Sequence, residues 1–264
     1  TLSHAPPQRP VLLEARNLSR GHYVHNASFS LHEGEVLGLA GLVGSGRSEL
    51  VRMIYGADRP DTGDVLLHGK QVKIRSPYDA VRRGIALVPE ERRSQGLLLE
   101  KSVNFNINIP NVRSLRLARW IPLVNLSRGR RRAQAIAEQL QVKTRSVDMA
   151  VGQLSGGNQQ KVVIGKWLTE SMNVIILDEP SRGVDVGARG DIHRIVRGLA
   201  AKGAGVIVIS SEVEELPGLC DRALVMVEGR IAGELVGEKI TKEALLHMSY
   251  AHGSGVTHET GKHP

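Results

Sequence analysis

The sequence of 264 residues has little cysteine, few aromatic residues and no long apolar run. Its single cysteine, Cys220, excludes a disulfide within the chain and fits a reducing compartment. No apolar run approaches the roughly 18–20 residues that a membrane-spanning helix needs. We therefore expect any association with a membrane to depend on a partner protein.

The overall composition indicates a globular protein with a basic surface. Hydrophobic residues make up 41% of the chain, and the length allows one domain with two lobes or two small domains. The formal net charge of +8 favours anionic partners such as a nucleotide, a nucleic acid or a lipid surface. Charge alone does not choose among these partners.

The most concentrated positive charge is the run Arg128-Gly129-Arg130-Arg131-Arg132, at the start of a predicted helix over Ala133–Leu140. Proteins that bind single-stranded nucleic acid usually place aromatic residues among their basic ones, because bases stack on aromatic rings. No aromatic residue is interleaved here. A solvated helix face is therefore favoured over a nucleic-acid site.

A glycine-rich loop follows a predicted apolar strand, Val36–Ala40, and leads into a predicted helix, Ser48–Tyr55. The loop matches the phosphate-binding pattern GxxxxGK[ST], except that Arg47 stands where lysine is expected. Its candidate nucleotide-binding residues are Gly41, Gly44, Ser45, Gly46, Arg47 and Ser48, and Ser48 is also a candidate Mg²⁺ ligand. Arginine keeps the charge but replaces a compact ammonium with a planar fork, so we expect nucleotide binding to survive better than hydrolysis. The alternative is a strand-turn-helix whose glycines serve packing alone.

A second phosphate motif lies between Leu154 and Gly187. Ser155, Gly156 and Gly157 stand where a loop gives way to a helix, and backbone N–H groups at a helix N-terminus attract anions. On its own, a Gly-Gly pair is more often a turn.

Two acidic residues end the buried strand that follows. The apolar run from 174 to 177 leads into Asp178 and Glu179. Asp178 suits Mg²⁺, and Glu179 suits polarisation of the water that attacks a γ-phosphate. On its own, this acidic pair is more often a solvated strand end.

These motifs, in this order and spacing, resemble those of ATP-binding cassette (ABC) ATPases over residues 11–250. The resemblance implies an α/β P-loop NTPase with a RecA-like core, an antiparallel β subdomain and an inserted helical subdomain at about residues 97–165. It also implies ATP and Mg²⁺ as cofactors. Residues 1–10 are predicted to be a linker, and residues 251–264 a disordered tail.

The resemblance assigns roles to three further residues. Glu90 follows the predicted strand Ile85–Val88 where these ATPases carry a glutamine, and its carboxylate is a candidate Mg²⁺ ligand. Ser211 stands where most of them carry a catalytic histidine; serine cannot carry positive charge, so transition-state stabilisation should be weaker. Tyr23 is a candidate for stacking on adenine. The alternatives are a charged surface loop around Glu90 and a surface turn at Tyr23.

Three departures from the general ABC ATPase motifs make the resemblance more specific. They are GSGRS in the first loop, LSGGNQQK in the second, and SRGVDVGAR followed later by SSE. Together they resemble the C-terminal cassette of tandem ATPases that drive bacterial monosaccharide importers. The implied partners are a second cassette, either fused N-terminally or a second copy, and transmembrane permease subunits, with an outer sugar-binding protein acting indirectly. The implied location is the cytoplasmic face of the membrane. Because the chain starts at Thr1 with a proline-rich segment, we expect a fragment of a longer polypeptide.

In such a pair, Ser155, Gly156 and Gly157 would complete a competent site on the partner's P-loop. Arg47, Glu90 and Ser211 would then belong to a second site that binds nucleotide but turns over poorly, so activity without a partner should be weak. Two other interpretations stay open: a non-transport ABC protein acting on nucleic acid or ribosomes, and a nucleotide-binding scaffold without turnover. We expect no nucleic-acid partner.

Overall fold

The computed structural model describes residues 9–118, 121–168 and 171–251. The predicted linker and tail lie almost entirely outside the described residues. The described residues form twelve strands: β1 (Val11–Arg20), β2 (Val24–His32), β3 (Val36–Gly41), β4 (Thr62–Leu67), β5 (Lys70–Val72), β6 (Ile85–Val88), β7 (Arg116–Ala118), β8 (Ile121–Val124), β9 (Val174–Asp178), β10 (Gly205–Ser210), β11 (Arg222–Val227) and β12 (Arg230–Val236).

Seven α-helices accompany these strands in the described ranges: α1 (Arg47–Ile54), α2 (Pro77–Arg82), α3 (Val103–Asn108), α4 (Leu126–Gln139), α5 (Gly156–Gly165), α6 (Val186–Ala201) and α7 (Lys242–Ala251). None of these helices is long and apolar enough to cross a bilayer.

A four-stranded antiparallel sheet, in the order β2-β1-β4-β5, forms one layer. Alternate residues of β1 point to opposite faces: Leu13 and Ala15 are buried, whereas the side chain of Arg16 is exposed and pairs with Glu14 at 2.7 Å. This period of two is typical of a strand with one face on a core. The predicted antiparallel β subdomain is confirmed.

The central layer is a six-stranded sheet in the order β12-β11-β3-β10-β9-β6, parallel except for the edge strand β12. Both of its faces are covered. Leu37 and Leu39 pack in the cluster shared with α1 and the antiparallel sheet, whereas Val36 and Ala40 belong to the cluster on the other side. Burial on both faces explains why β3, β9 and β10 read as unbroken apolar runs.

The region from 97 to 165 contains α3, α4 and all of α5, and its bounds as a helical subdomain stay a prediction. It also contains the hairpin of β7 and β8, which the sequence did not indicate. Helix α4 begins earlier than predicted, because the side chain of Asn125 caps it by accepting a hydrogen bond from the N–H of Arg128 at 2.9 Å. The basic run therefore lies inside the helix.

The parallel strands bring the candidate residues together at one edge of the sheet. The chain leaves the carboxyl ends of β3, β9 and β10 at one edge of the sheet, which is where ligands bind in open α/β folds. The loop after β3, Asp178-Glu179 at the end of β9, and Ser210-Ser211 at the end of β10 meet at this edge.

Candidate functional site

The loop between β3 and α1 has a backbone that requires glycine at its end. Gly46 adopts φ 93°, and a Cβ placed there would lie 2.3 Å from the backbone oxygen of Tyr23. Helix α1 follows directly, and no side chain caps its first turn. Its first N–H groups are therefore left for another acceptor, as in phosphate-binding loops.

Arg47, the residue in place of the expected lysine, turns into the sheet edge and is only 7% exposed. One guanidinium nitrogen donates to the backbone oxygen of Ser210, and Nη2 lies 3.8 Å from Oε1 of Glu179. Burial lowers the pKa of Arg47, and the charge of Glu179 opposes that effect. Arg47 is thus held by protein groups at the position where the loop would meet a phosphate.

Ser48 and Asp178 form a pair of oxygen donors. The hydroxyl of Ser48 donates to Oδ1 of Asp178 at 3.4 Å, which is a long hydrogen bond. Burial raises the pKa of Asp178 to about 6, so the carboxyl is ionised at neutral pH. Mg²⁺ prefers oxygen ligands and keeps some of its water, so a hydroxyl and a carboxylate beside a phosphate-binding loop fit this ion.

Glu179 lies next to this pair in a strained backbone conformation. Its φ is +48°, which is uncommon for a residue other than glycine, and its N–H donates to the backbone oxygen of Ile209 at 3.0 Å. The carboxylate accepts the N–H of Ser211 at 2.7 Å. Burial raises the pKa of Glu179, and the contacts with Ser211 and Arg47 oppose that effect. Ser211 thus lies beside Glu179, and the roles of both residues on a phosphate stay predictions.

Tyr23 lies in the turn that joins β1 and β2, and 47% of it is exposed. Its backbone oxygen packs against both Gly46 and Gly229, so the turn borders the loop. Its ring lies 4.0 Å from that of His22. An exposed ring beside the loop is compatible with stacking on a base, and this role stays a prediction.

Ser155, Gly156 and Gly157 begin α5, away from the loop after β3. A Cβ on Gly157 would lie 2.5 Å from Cβ of Ala188, and one on Gly156 would lie 3.2 Å from the backbone oxygen of Gly183. Within the described ranges these contacts go to the segment that follows Asp178-Glu179. The structure therefore separates the two predicted phosphate motifs into two places.

Glu90 forms an ion pair with Arg182. Its carboxylate thus contacts the segment after Glu179 instead of Ser48 or Asp178. Its role as a Mg²⁺ ligand stays a prediction.

Comparison with known proteins identifies the family. The family model described as "ABC transporter" matches residues 24–182. The chain belongs to the ABC transporter family.

Relatives and solved structures agree with this ABC assignment. The chain is 44% identical to the ribose import ATP-binding protein RbsA 3 of Rhizobium meliloti (strain 1021), over 94% of this chain and 49% of that protein. It is 46% identical to the arabinose import ATP-binding protein AraG 2 of Burkholderia cenocepacia (strain HI2424), over 92% of this chain and 47% of that protein. The chain thus spans about half the length of the curated relatives it matches.

The fold also matches a solved ABC structure. A crystal structure of a nucleotide-free ATP-binding cassette from an ABC transporter aligns with a TM-score of 0.77 and 28% identity, covering 89% of this chain and 95% of that one. The predicted fold class is confirmed.

In this ABC cassette the sequence prediction missed Arg92, which contacts the motifs. Arg92 donates to the backbone oxygens of Arg182 and Gly183 at 2.8 and 3.1 Å, and its guanidinium also borders Gly156. The available signal was the charged run around Glu90, which the sequence alone could not distinguish from a solvated loop.

Proposed function

We propose that this chain is an ATP-binding and ATP-hydrolysing cassette that powers the import of a monosaccharide through a membrane ABC transporter. The observation that carries the proposal is the convergence of Arg47, Ser48, Asp178 and Glu179 at one edge of the parallel sheet. Similarity to a ribose import and an arabinose import ATP-binding protein supports the transport role.

Each residue at this edge has a separate role towards MgATP. The N–H groups of the loop and the guanidinium of Arg47 bind the phosphates, and Ser48 and Asp178 hold Mg²⁺, which neutralises phosphate charge when bound. Glu179 orients the attacking water and polarises it. The hydroxyl of Ser211 donates a hydrogen bond where a cation would stabilise the transition state better, so turnover at this site is slow.

The separate position of Ser155 and Gly156 supports a composite site made by two cassettes. Ser155 and Gly156 open α5, Gly156 lies against the segment after Glu179, and the first N–H groups of the helix have no side-chain cap. We infer that they complete the site on the P-loop of a second cassette. The partner is a fused cassette or a second copy of this chain, and the altered P-loop makes the pair asymmetric.

The helical region offers a surface for the permease. Leu98, Phe105 and Ile109 are 48%, 44% and 43% exposed, which is high for large apolar side chains that flank a short helix. Leu98 precedes α3, Phe105 lies within it and Ile109 follows its last residue. The chain would then work at the cytoplasmic face of the membrane, and the sugar would contact only the permease and its outer binding protein.

The test is steady-state MgATP turnover, together with nucleotide binding, by this chain across a range of protein concentrations. Glu179→Gln is the control that keeps the shape of the site and removes its carboxylate. Turnover that rises more steeply than linearly, and is lost in the variant, would show that self-association builds working sites. Binding with negligible turnover would indicate half of an asymmetric pair.

The absence of specific MgATP binding would contradict the proposal. Tight, salt-sensitive binding to nucleic acid would instead favour the non-transport alternative, because phosphate contacts release counterions and weaken steeply with salt.

A further inference from the structure

The segment after β6 contacts the segment after Glu179, which is far from it in sequence. Glu90 forms an ion pair with Arg182, and Arg92 donates to the backbone oxygens of Arg182 and Gly183. We call these four residues the loop bridge. It joins the segment 90–92 to the segment that follows Glu179 through both side-chain and backbone contacts.

The loop bridge also reaches the start of α5. A Cβ on Gly156 would lie 2.8 Å from Nη2 of Arg92 and 3.2 Å from the backbone oxygen of Gly183. Nε of Arg92 is buried and has no hydrogen-bond partner in the described part of the chain. The guanidinium therefore lies between the two loops, and the desolvation of its unpaired N–H is unfavourable for folding.

The same segment is fixed to α5 at its other end. The side chain of Lys166 donates to the backbone oxygen of Gly96, and a Cβ on Gly96 would lie 3.2 Å from a methyl group of Val163. The turn over Arg92–Gly96 is thus attached near both ends of α5. The turn therefore contacts both the start of α5 and Gly183, so we expect a displacement of the turn to move both.

We propose that Arg92 is a positioning residue for the composite site, and that Glu90 and Arg182 assist it. The inference rests on the proposed function, because the start of α5 and the segment 182–188 act on ATP only when a second cassette is present. Arg92 acts through these two loops and touches no reacting atom. Its planar fork suits two neighbouring carbonyl oxygens, whereas lysine would offer a single point of attachment.

Arg92→Gln tests the proposal, with Arg93→Gln as the matched control, since Arg93 is exposed and adjacent. In the full assembly, Arg92→Gln should lower kcat at least tenfold with little change in KM, and Arg92→Lys should recover only part of the loss. Binding of a fluorescent ATP analogue to this chain's own P-loop should stay within twofold. Arg93→Gln should match the parent protein in all three measurements.

Charge reversal tests the ion pair. Glu90→Arg and Arg182→Glu should each lower kcat, and the double variant should regain at least half of the loss, because the pair is restored with its ends exchanged. A general loss of folding would not be rescued in this way.

Hydrogen exchange of this chain decides the inference even if turnover is absent. Arg92→Gln should speed amide exchange in both 155–158 and 181–188, and leave 41–48 unchanged. Faster exchange confined to 90–96, or a fall in kcat accompanied by lower Tm or weaker nucleotide binding, would overturn the inference. Failure of the parent chain to bind MgATP would instead count against the proposed function.

Discussion

The guanidinium of Arg47 lies 3.8 Å from the carboxylate of Glu179, so the cation of the phosphate-binding loop faces the proposed catalytic base. Arg47 also donates to the backbone oxygen of Ser210, and both side chains of the pair are about nine-tenths buried. Under the proposed function, an incoming γ-phosphate would compete with Glu179 for this cation. Binding and catalysis at this site would then oppose each other.

Glu179→Gln should strengthen MgATP binding by this chain, because it removes the anion that competes for Arg47. We expect a decrease in Kd of about 3- to 10-fold, corresponding to about 1 kcal/mol. Glu100→Gln is the control: it removes the same charge from an exposed position outside the pair with Arg47. Titration with a fluorescent ATP analogue measures both variants, and equal effects of the two would contradict the competition.

Replacing Ser155 by a bulky residue should lower transport-linked hydrolysis more than Arg47→Lys does. In the asymmetric pair, Ser155 completes the competent site, whereas Arg47 belongs to the slow one. Parallel turnover measurements on the assembled transporter compare Ser155→Phe with Arg47→Lys. Equal or reversed effects would count against asymmetry.

Much of the fold could be predicted from the sequence. The unbroken apolar runs of β3, β9 and β10 and the loop before Arg47 determine a parallel sheet with a phosphate-binding edge. The hairpin β7–β8 could not be predicted, because its strands have only three and four residues.

The sequence indicated which residues are candidates for the site, but not which residues they contact. The sequence indicated that Glu90 lies near the phosphate chemistry, but its pairing with Arg182 joins segments about ninety positions apart and depends on how β6 and β9 lie side by side. The turning of Arg47 towards Ser210 has the same origin. Such contacts arise from tertiary packing, which motif spacing does not encode.

Gly157→Ala should destabilise the chain by about 1–3 kcal/mol, since its Cβ would lie 2.5 Å from that of Ala188. Gly190→Ala is the matched control: this residue lies within helix α6, and a Cβ there would have no neighbour within 4 Å. It should stabilise the chain by about 0.5–1 kcal/mol, because alanine is the better helix former. Denaturant unfolding measures both variants, and a stabilising Gly157→Ala would show that α5 and α6 are less closely packed than described.

Lys166 should make stability depend on alkaline pH. Burial lowers its pKa from the ordinary 10.5 to about 8, although its ammonium donates to the backbone oxygen of Gly96. The unfolded chain therefore holds this proton more tightly than the folded chain. The resulting penalty is complete below pH 8 and disappears as the pH rises to 10.5, with a total of about 3 kcal/mol.

The difference in unfolding free energy between the parent chain and Lys166→Met isolates this effect, since the other groups that titrate in the alkaline range are common to both. The parent should gain on the variant between pH 8 and 10.5, and their difference should be constant below pH 7. A constant difference for Lys166→Met across the whole range would mean that the folded ammonium keeps its ordinary pKa, and hence that the attachment of Gly96 to α5 is accessible to water.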